Sequence, residues 1–79
     1  MMHGKIVKLV RSYGSRWGRI QPTGTTREVF FNKNSLSEGD DFDHLRDGQV
    51  VEFDEEPDRA NGTHAYNVIP VELPANAKA

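Results

Sequence analysis

Short runs of alternating apolar and polar residues, separated by turn residues, recur along the 79-residue chain and predict β-strands. Residues 5–10 and 17–21 are rich in β-branched and aliphatic side chains, and the Ser- and Gly-containing segment between them predicts a turn. Residues 27–31 alternate regularly after a second turn at 22–24. Two later runs, 49–55 and 65–71, complete a set of five predicted strands.

The alternation also predicts which side chains of the second and third strands face the core, because successive residues of a strand point to opposite faces. The inward positions are Gly18, Ile20, Val29 and Phe31. The outward positions are Trp17, Arg19, Phe30 and Asn32. Trp17 could instead be a core residue, since indoles are usually largely buried, but the small inward neighbour Gly18 favours exposure. This parity predicts an exposed aromatic pair, Trp17 and Phe30, between basic residues.

The segment 33–48 is a polar connection that is too long for a hairpin loop. The spacing of Ser35 and Glu38 is that of a capping box and predicts one short helical turn at 35–38. Its apolar anchors are Leu36, Phe42 and Leu45. Residues 1–71 are expected to form one domain, and 72–79 a flexible C-terminal tail.

Five strands in so few residues are expected to close into a barrel, because an open sheet would leave unpaired edges and little core. The economical solution is an all-β fold, a five-stranded antiparallel Greek-key barrel of the OB type. The ligand face of that fold lies on its second and third strands.

Charge is distributed unevenly along the chain, although the net charge is only −2. Residues 1–33 carry seven lysines and arginines against one acid, whereas residues 34–79 carry three against eleven. This asymmetry predicts a basic face and an acidic back. Arg27 is a possible exception among these basic residues. Its inward parity suits a position at a strand end, where it would contribute nothing to a ligand site.

Several function classes are disfavoured by the composition. The chain has no cysteine, so it can form neither a disulfide nor a thiolate zinc site. His3, His44 and His64 are widely spaced, and no nucleophile pair or phosphate-binding glycine loop is present. We therefore expect no enzyme activity, no metal, no cofactor and no small-molecule substrate. No apolar run reaches membrane length, which predicts a cytoplasmic protein without a membrane partner.

Motifs throughout residues 4–70 make the chain resemble the bacterial cold-shock domain family. The first is Ser15-Arg16-Trp17-Gly18-Arg19-Ile20, where the family has Lys-Gly-Phe-Gly-Phe-Ile. The second is Val29-Phe30-Phe31-Asn32, where the family has Val-Phe-Val-His. Gly48-Gln49-Val50-Val51-Glu52-Phe53 and the Ala65-x-Asn67-Val68 ending extend the match to the second half of the chain. The resemblance implies a single-stranded RNA or DNA binder, either an RNA chaperone or a regulator of transcription or translation.

The chain is a divergent member by this comparison, because several stacking positions of the family are changed. Arg19 replaces an aromatic residue, Asn32 replaces histidine, Lys33 replaces a following phenylalanine, and Leu9-Val10 replace a Trp-Phe pair. Phe42 matches a loop aromatic that stacks on bases in the family, although packing within the loop is an equal alternative. Because each stacked base contributes roughly 1–3 kcal/mol, we expect weaker and more salt-dependent binding than a typical member shows.

The predicted nucleic-acid site comprises aromatic platforms, phosphate contacts and one base-edge contact. Its members are Lys8, Arg16, Trp17, Arg19, Phe30, Asn32, Lys33 and Phe42. We expect a monomer that binds single-stranded RNA or DNA. Two alternatives stay open: a protein-interaction module that kept the barrel, with residues 38–58 as its acidic surface, and a ribosome-associated OB protein.

Overall fold

The computed structural model describes residues 1–37, 39–60 and 62–71, so the predicted tail at 72–79 lies outside the described residues. The strands are β1 (Met2–Val10), β2 (Trp17–Pro22), β3 (Val29–Asn32), β4 (Val50–Asp58) and β5 (Gly62–Pro70). Three short 3-10 turns cover Ser12–Gly14, Lys33–Ser35 and Phe42–His44. Within this part of the chain, no helix is long and apolar enough to cross a membrane.

The five strands form a closed barrel in the order β1-β2-β3-β5-β4, which confirms the predicted all-β barrel. Four neighbouring pairs are antiparallel, and the β3–β5 pair is parallel. The parallel pair follows from the number of strands: around a ring of five, four reversals of direction leave the fifth pair pointing the same way. The β3–β5 ladder pairs only Phe30 with His64, and an isolated bridge between Leu36 and Val68 extends it.

The inward positions predicted for β2 and β3 are buried, as expected from the alternation. Ile20, Val29 and Phe31 have no exposed surface, and Gly18 is also buried. The rest of the core comes from β1, β4, β5 and the long connection: Ile6, Phe42, Leu45, Val51, Phe53, Ala65 and Val68. Pairing of β4 with β5 runs from Val51 to Asp58 along β4, so both strands extend into the segment between the predicted runs 49–55 and 65–71.

Gly18 allows β1 and β2 to approach each other closely at the site. A Cβ atom on Gly18 would lie 2.3 Å from the carbonyl oxygen of Lys8 and 2.8 Å from Cε1 of Phe31. Neither neighbour can move easily, because one is backbone and the other is a fully buried ring. The absent side chain therefore sets the spacing of the strands that carry Lys8 and Trp17.

The described residues of the long connection include two 3-10 turns, and the first ends at Ser35, where the predicted turn at 35–38 begins. Glu38, the second residue of the predicted capping box, lies outside the described residues. The capping box is formed by Asn32 and Ser35: the Asn32 side chain accepts from Asn34, and the backbone N–H of Asn32 donates to Ser35 Oγ. Asn32 caps this turn because it ends a strand in extended conformation, where its side chain can accept from a backbone N–H group of the turn that follows. The three residues predicted to anchor this connection all pack in or against the core: Phe42 and Leu45 are buried, and Leu36 is partly buried.

Candidate nucleic-acid interface

The outer face of β2 and β3 carries a stacked aromatic pair. In the β2–β3 register, Trp17 lies opposite Asn32 and Arg19 lies opposite Phe30, so the two rings are diagonal neighbours. The ring centroids of Trp17 and Phe30 are 5.9 Å apart, with an angle of 26° between the planes. Both residues are half-buried and border an open groove with Ser15, Arg16, Arg19 and Asn32. The pair therefore forms a partly exposed aromatic surface along this groove.

Two cations lie against the indole of Trp17. The Nζ atom of Lys8 is 5.6 Å from the ring centroid, and the Cζ atom of Arg19 is 5.7 Å from it. Glu28 approaches Arg19 only at 4.0 Å, and both side chains are substantially exposed, so this ion pair is weak and screened by water. Positive charge therefore lies beside an aromatic surface. This arrangement suits a single nucleic-acid strand, because its phosphates bind cations and its bases stack on rings.

Asn32 has a structural role as well as its place in the groove. Its side-chain oxygen accepts from the backbone N–H of Asn34 at 2.9 Å and from Ser35 Oγ at 3.4 Å. The predicted base-edge contact therefore falls to the side-chain amide nitrogen, which is a donor.

Arg16 is engaged by the acidic loop. Its Nε atom lies 2.8 Å from Oδ1 of Asp43, and its Nη1 atom donates to the carbonyls of Arg11 and Ser15. Arg11 holds the same loop, because its Nη2 atom donates to the carbonyls of Phe42 and Leu45. A phosphate that binds Arg16 must compete with the carboxylate of Asp43.

Lys33 is exposed at the start of the second 3-10 turn and borders a second groove. That groove also contains Arg16 and three carboxylates of the loop, those of Asp40, Asp41 and Asp43. The electrostatic setting of Lys33 is therefore less favourable to phosphate than that of Lys8.

Phe42 does not present a stacking surface in this structure. Only 4% of the residue is exposed, and its ring packs against Phe31 at 5.6 Å between centroids. Arg11 also lies over this ring, with its Cζ atom 5.8 Å from the centroid. A buried ring cannot stack on a base, so Phe42 acts as a core residue and leaves the candidate interface.

The structure adds two residues that the sequence analysis missed, His64 and Tyr66. Both border a groove with Phe30 and Asn32, and the two rings meet edge-to-face at 6.5 Å. The Nε2 atom of His64 is 3.0 Å from Glu56, and its Nδ1 atom is 3.3 Å from Asp58. Tyr66 lies within the strand predicted at 65–71, whereas His64 precedes that run because β5 begins at Gly62.

Arg27 lies outside the interface and pairs with β4. Its two terminal nitrogens contact both carboxylate oxygens of Glu55, one of them at 2.9 Å. This bidentate hydrogen bond raises the pKa of Arg27 and lowers the pKa of Glu55. Arg27 therefore has a structural partner on β4.

No group of three or more His, Cys, Asp or Glu side chains within the described ranges could hold a metal ion. The Glu56 and Asp58 carboxylates lie at opposite nitrogens of the His64 ring and do not converge on one point.

Comparison with known proteins assigns the chain to a family whose function fits this face. Residues 2–71 match the family described as "'Cold-shock' DNA-binding domain", which covers most of the chain. A search of curated proteins returned no match. The closed five-stranded barrel agrees with the family match. The chain belongs to the cold-shock DNA-binding domain family and is a nucleic-acid-binding domain.

Proposed function

We propose that the chain binds single-stranded RNA or DNA, with little sequence preference, on the outer face of β2 and β3. The observation that carries this proposal is the stacked Trp17–Phe30 pair with Lys8 and Arg19 against the indole. Stacking tolerates any base because every base has a π-face, and the cations follow the phosphate backbone. Duplex bases are already stacked on each other, so the platform favours unpaired strands.

Each side chain has a separate role in this proposal. Trp17 and Phe30 stack on successive bases, and Asn32 donates to a base edge. Lys8, Arg16, Arg19 and Lys33 contact phosphates, with Arg16 limited by its ion pair to Asp43. If about four phosphates are contacted, the logarithm of affinity falls with the logarithm of salt concentration at a slope of about −0.7 per contact.

An RNA chaperone or regulatory role is consistent with such binding. A protein that binds only the unpaired state shifts a hairpin toward that state by mass action, without ATP or another cofactor. The cytoplasmic location and the monomeric state stay predictions.

The test uses the chain's single tryptophan, Trp17, as the reporter. Unstructured oligo-dT and oligo-U are titrated into the protein at low and moderate salt while Trp17 emission is followed. We expect saturable quenching that salt reverses. Phe30→Ala should weaken binding about 5- to 150-fold, which corresponds to one lost stacking contact of roughly 1–3 kcal/mol.

A matched control separates this face from the rest of the barrel. Val50→Ala removes an exposed apolar side chain of β4, a strand that pairs with neither β2 nor β3. This control should bind like the wild type. Unchanged Trp17 emission at every oligonucleotide concentration would reject the proposal and favour the protein-interaction module. Sedimentation with ribosomal subunits, without binding to free strands, would favour the ribosome-associated alternative.

A further inference from the structure

Tyr13 is an exposed aromatic residue in a backbone conformation that tyrosine rarely adopts. Its exposure is 105%, the highest among the exposed large hydrophobic side chains of the described residues. Its backbone lies in the left-handed region, with φ 54° and ψ 38°, which is unfavourable for a residue with a Cβ atom. A side chain this exposed makes few packing contacts that could offset the strain of its backbone conformation. Strained residues of this kind occur where function requires them.

The loop around Tyr13 is braced by hydrogen bonds. The backbone N–H of Ser15 donates to the carbonyl of Ser12 at 2.9 Å, which closes the 3-10 turn. Arg16 Nη1 donates to the carbonyl of Arg11 at 3.0 Å and to that of Ser15 at 2.7 Å, which ties both ends of the turn together. The backbone that carries Tyr13 is therefore held in place before any ligand binds, so ordering of the loop on binding costs little.

The two residues after Tyr13 border the grooves of the interface. Ser15 borders the groove that contains Trp17 and Phe30, and Gly14 borders the groove that contains Arg16 and Lys33. Tyr13 therefore stands beside two grooves that share Arg16, the second of which also contains the carboxylates of the acidic loop. Continuity with the aromatic groove through Ser15 favours a nucleic-acid base over an apolar protein segment as the occupant.

We propose that Tyr13 is a further base-stacking platform, which binds one nucleotide beyond those held by Trp17 and Phe30. The inference rests on the proposed function and deepens it, because it assigns a subsite to the β1–β2 loop. The left-handed conformation turns the ring away from the barrel, and the adjacent Gly14, with φ 81°, allows the chain to return to β2.

The experiment measures affinity against oligonucleotide length for matched variants. Oligo-dT of about three to eight nucleotides is titrated against the wild type, Tyr13→Gly and Tyr13→Phe, with Trp17 emission as the reporter. Short oligonucleotides should bind all three proteins equally. Above a threshold length, Tyr13→Gly should bind about 5- to 150-fold more weakly than the wild type, whereas Tyr13→Phe should keep full affinity.

Stability is the second readout, because glycine accepts the left-handed conformation without strain. Tyr13→Gly should unfold at a urea concentration no lower than the wild type does, so weaker binding cannot be assigned to unfolding. Equal affinity of the wild type and Tyr13→Gly at every length, with Phe30→Ala still weakened, overturns the Tyr13 platform and leaves the proposed function intact.

Other results also reject the platform. Equal weakening at all lengths would assign Tyr13 to loop shape, and equal weakening by Tyr13→Phe would assign its effect to the hydroxyl group. Capture of a protein segment with no length effect on oligonucleotides would make the loop a protein-docking site. A wild-type protein that binds no oligonucleotide overturns both this inference and the proposed function.

Discussion

Replacing Asp43 with asparagine should strengthen nucleic-acid binding, because the Asp43 carboxylate occupies Arg16. The Arg16 Nε and Asp43 Oδ1 atoms are 2.8 Å apart, and the two side chains are 29% and 52% exposed. An ion pair with this exposure contributes about 0.2–1 kcal/mol. A ligand phosphate must offset that amount to reach Arg16. Removing the negative charge should therefore raise affinity by about 1.4- to 5-fold and lower the free energy of unfolding by no more than about 1 kcal/mol.

The assay is an oligo-dT titration of Trp17 emission at two salt concentrations. The matched control is Asp47→Asn, which makes the same change in net charge in the exposed turn before β4. Arg11 also approaches Asp43, at 3.7 Å, so urea unfolding of each variant checks that the loop stays in place. The gain of Asp43→Asn over Asp47→Asn should shrink as salt rises, because exposed charges are screened over about 10 Å at 0.1 M.

Two results would refute this reasoning. An equal gain in Asp43→Asn and Asp47→Asn would mean that only net charge matters, and that the Arg16–Asp43 pair does not compete with the ligand. A loss of affinity in Asp43→Asn, with stability unchanged, would mean that Asp43 holds Arg16 in the orientation that binds phosphate.

Two further perturbations test the core and the pH dependence. Phe42→Leu should lower the free energy of unfolding by about 1–2 kcal/mol, through lost contact with Phe31, and leave oligonucleotide affinity unchanged; an affinity loss like that of Phe30→Leu would show that Phe42 leaves the core to stack. Glu55→Gln tests the bond to Arg27. Because that bond lowers the pKa of Glu55 in the folded state, its stabilisation is present above the ordinary value of 4.5 and is lost as pH falls through the folded pKa. Urea unfolding should therefore show a less stable variant at pH 7 and a shrinking difference below pH 4.5, and a constant difference would contradict the assignment.

The parts of the fold that the sequence predicted are those with a regular local pattern. Alternation in β2 and β3 placed Gly18 and Phe31 inward and Trp17 and Phe30 outward, because one residue of register shift would move every side chain to the wrong face. The closed barrel followed from the number and length of the strands. The helical turn lies earlier in the chain than predicted, because the spacing of Ser35 and Glu38 does not show that Asn32 caps a turn at Lys33–Ser35.

The contacts that the sequence did not predict join distant residues or depend on backbone conformation. Nothing local shows that Arg16 meets Asp43, which lies 27 positions later along the chain. Phe42 lies between aspartates in a segment without a period, so its burial against Phe31 depends on tertiary packing alone. The sequence suggests no role for His64 other than that of a possible metal ligand. Its position beside Phe30 depends on the parallel pairing of β3 with β5.

The strand order separates part of the negative charge from the proposed binding face. In the ring β1-β2-β3-β5-β4, β4 lies across the barrel from β2 and β3. Among its five acidic side chains, Glu56 and Asp58 contact His64 beside Phe30, whereas Glu52 and Asp54 lie nearer the other end of β4. A polyanion approaching from the β4 side is repelled, whereas one approaching Lys8 and Arg19 is attracted. The electrostatic field therefore orients the protein before it touches the polyanion. Such orientation makes collisions productive in spite of the net charge of −2, and it limits each copy to engaging a strand from one side.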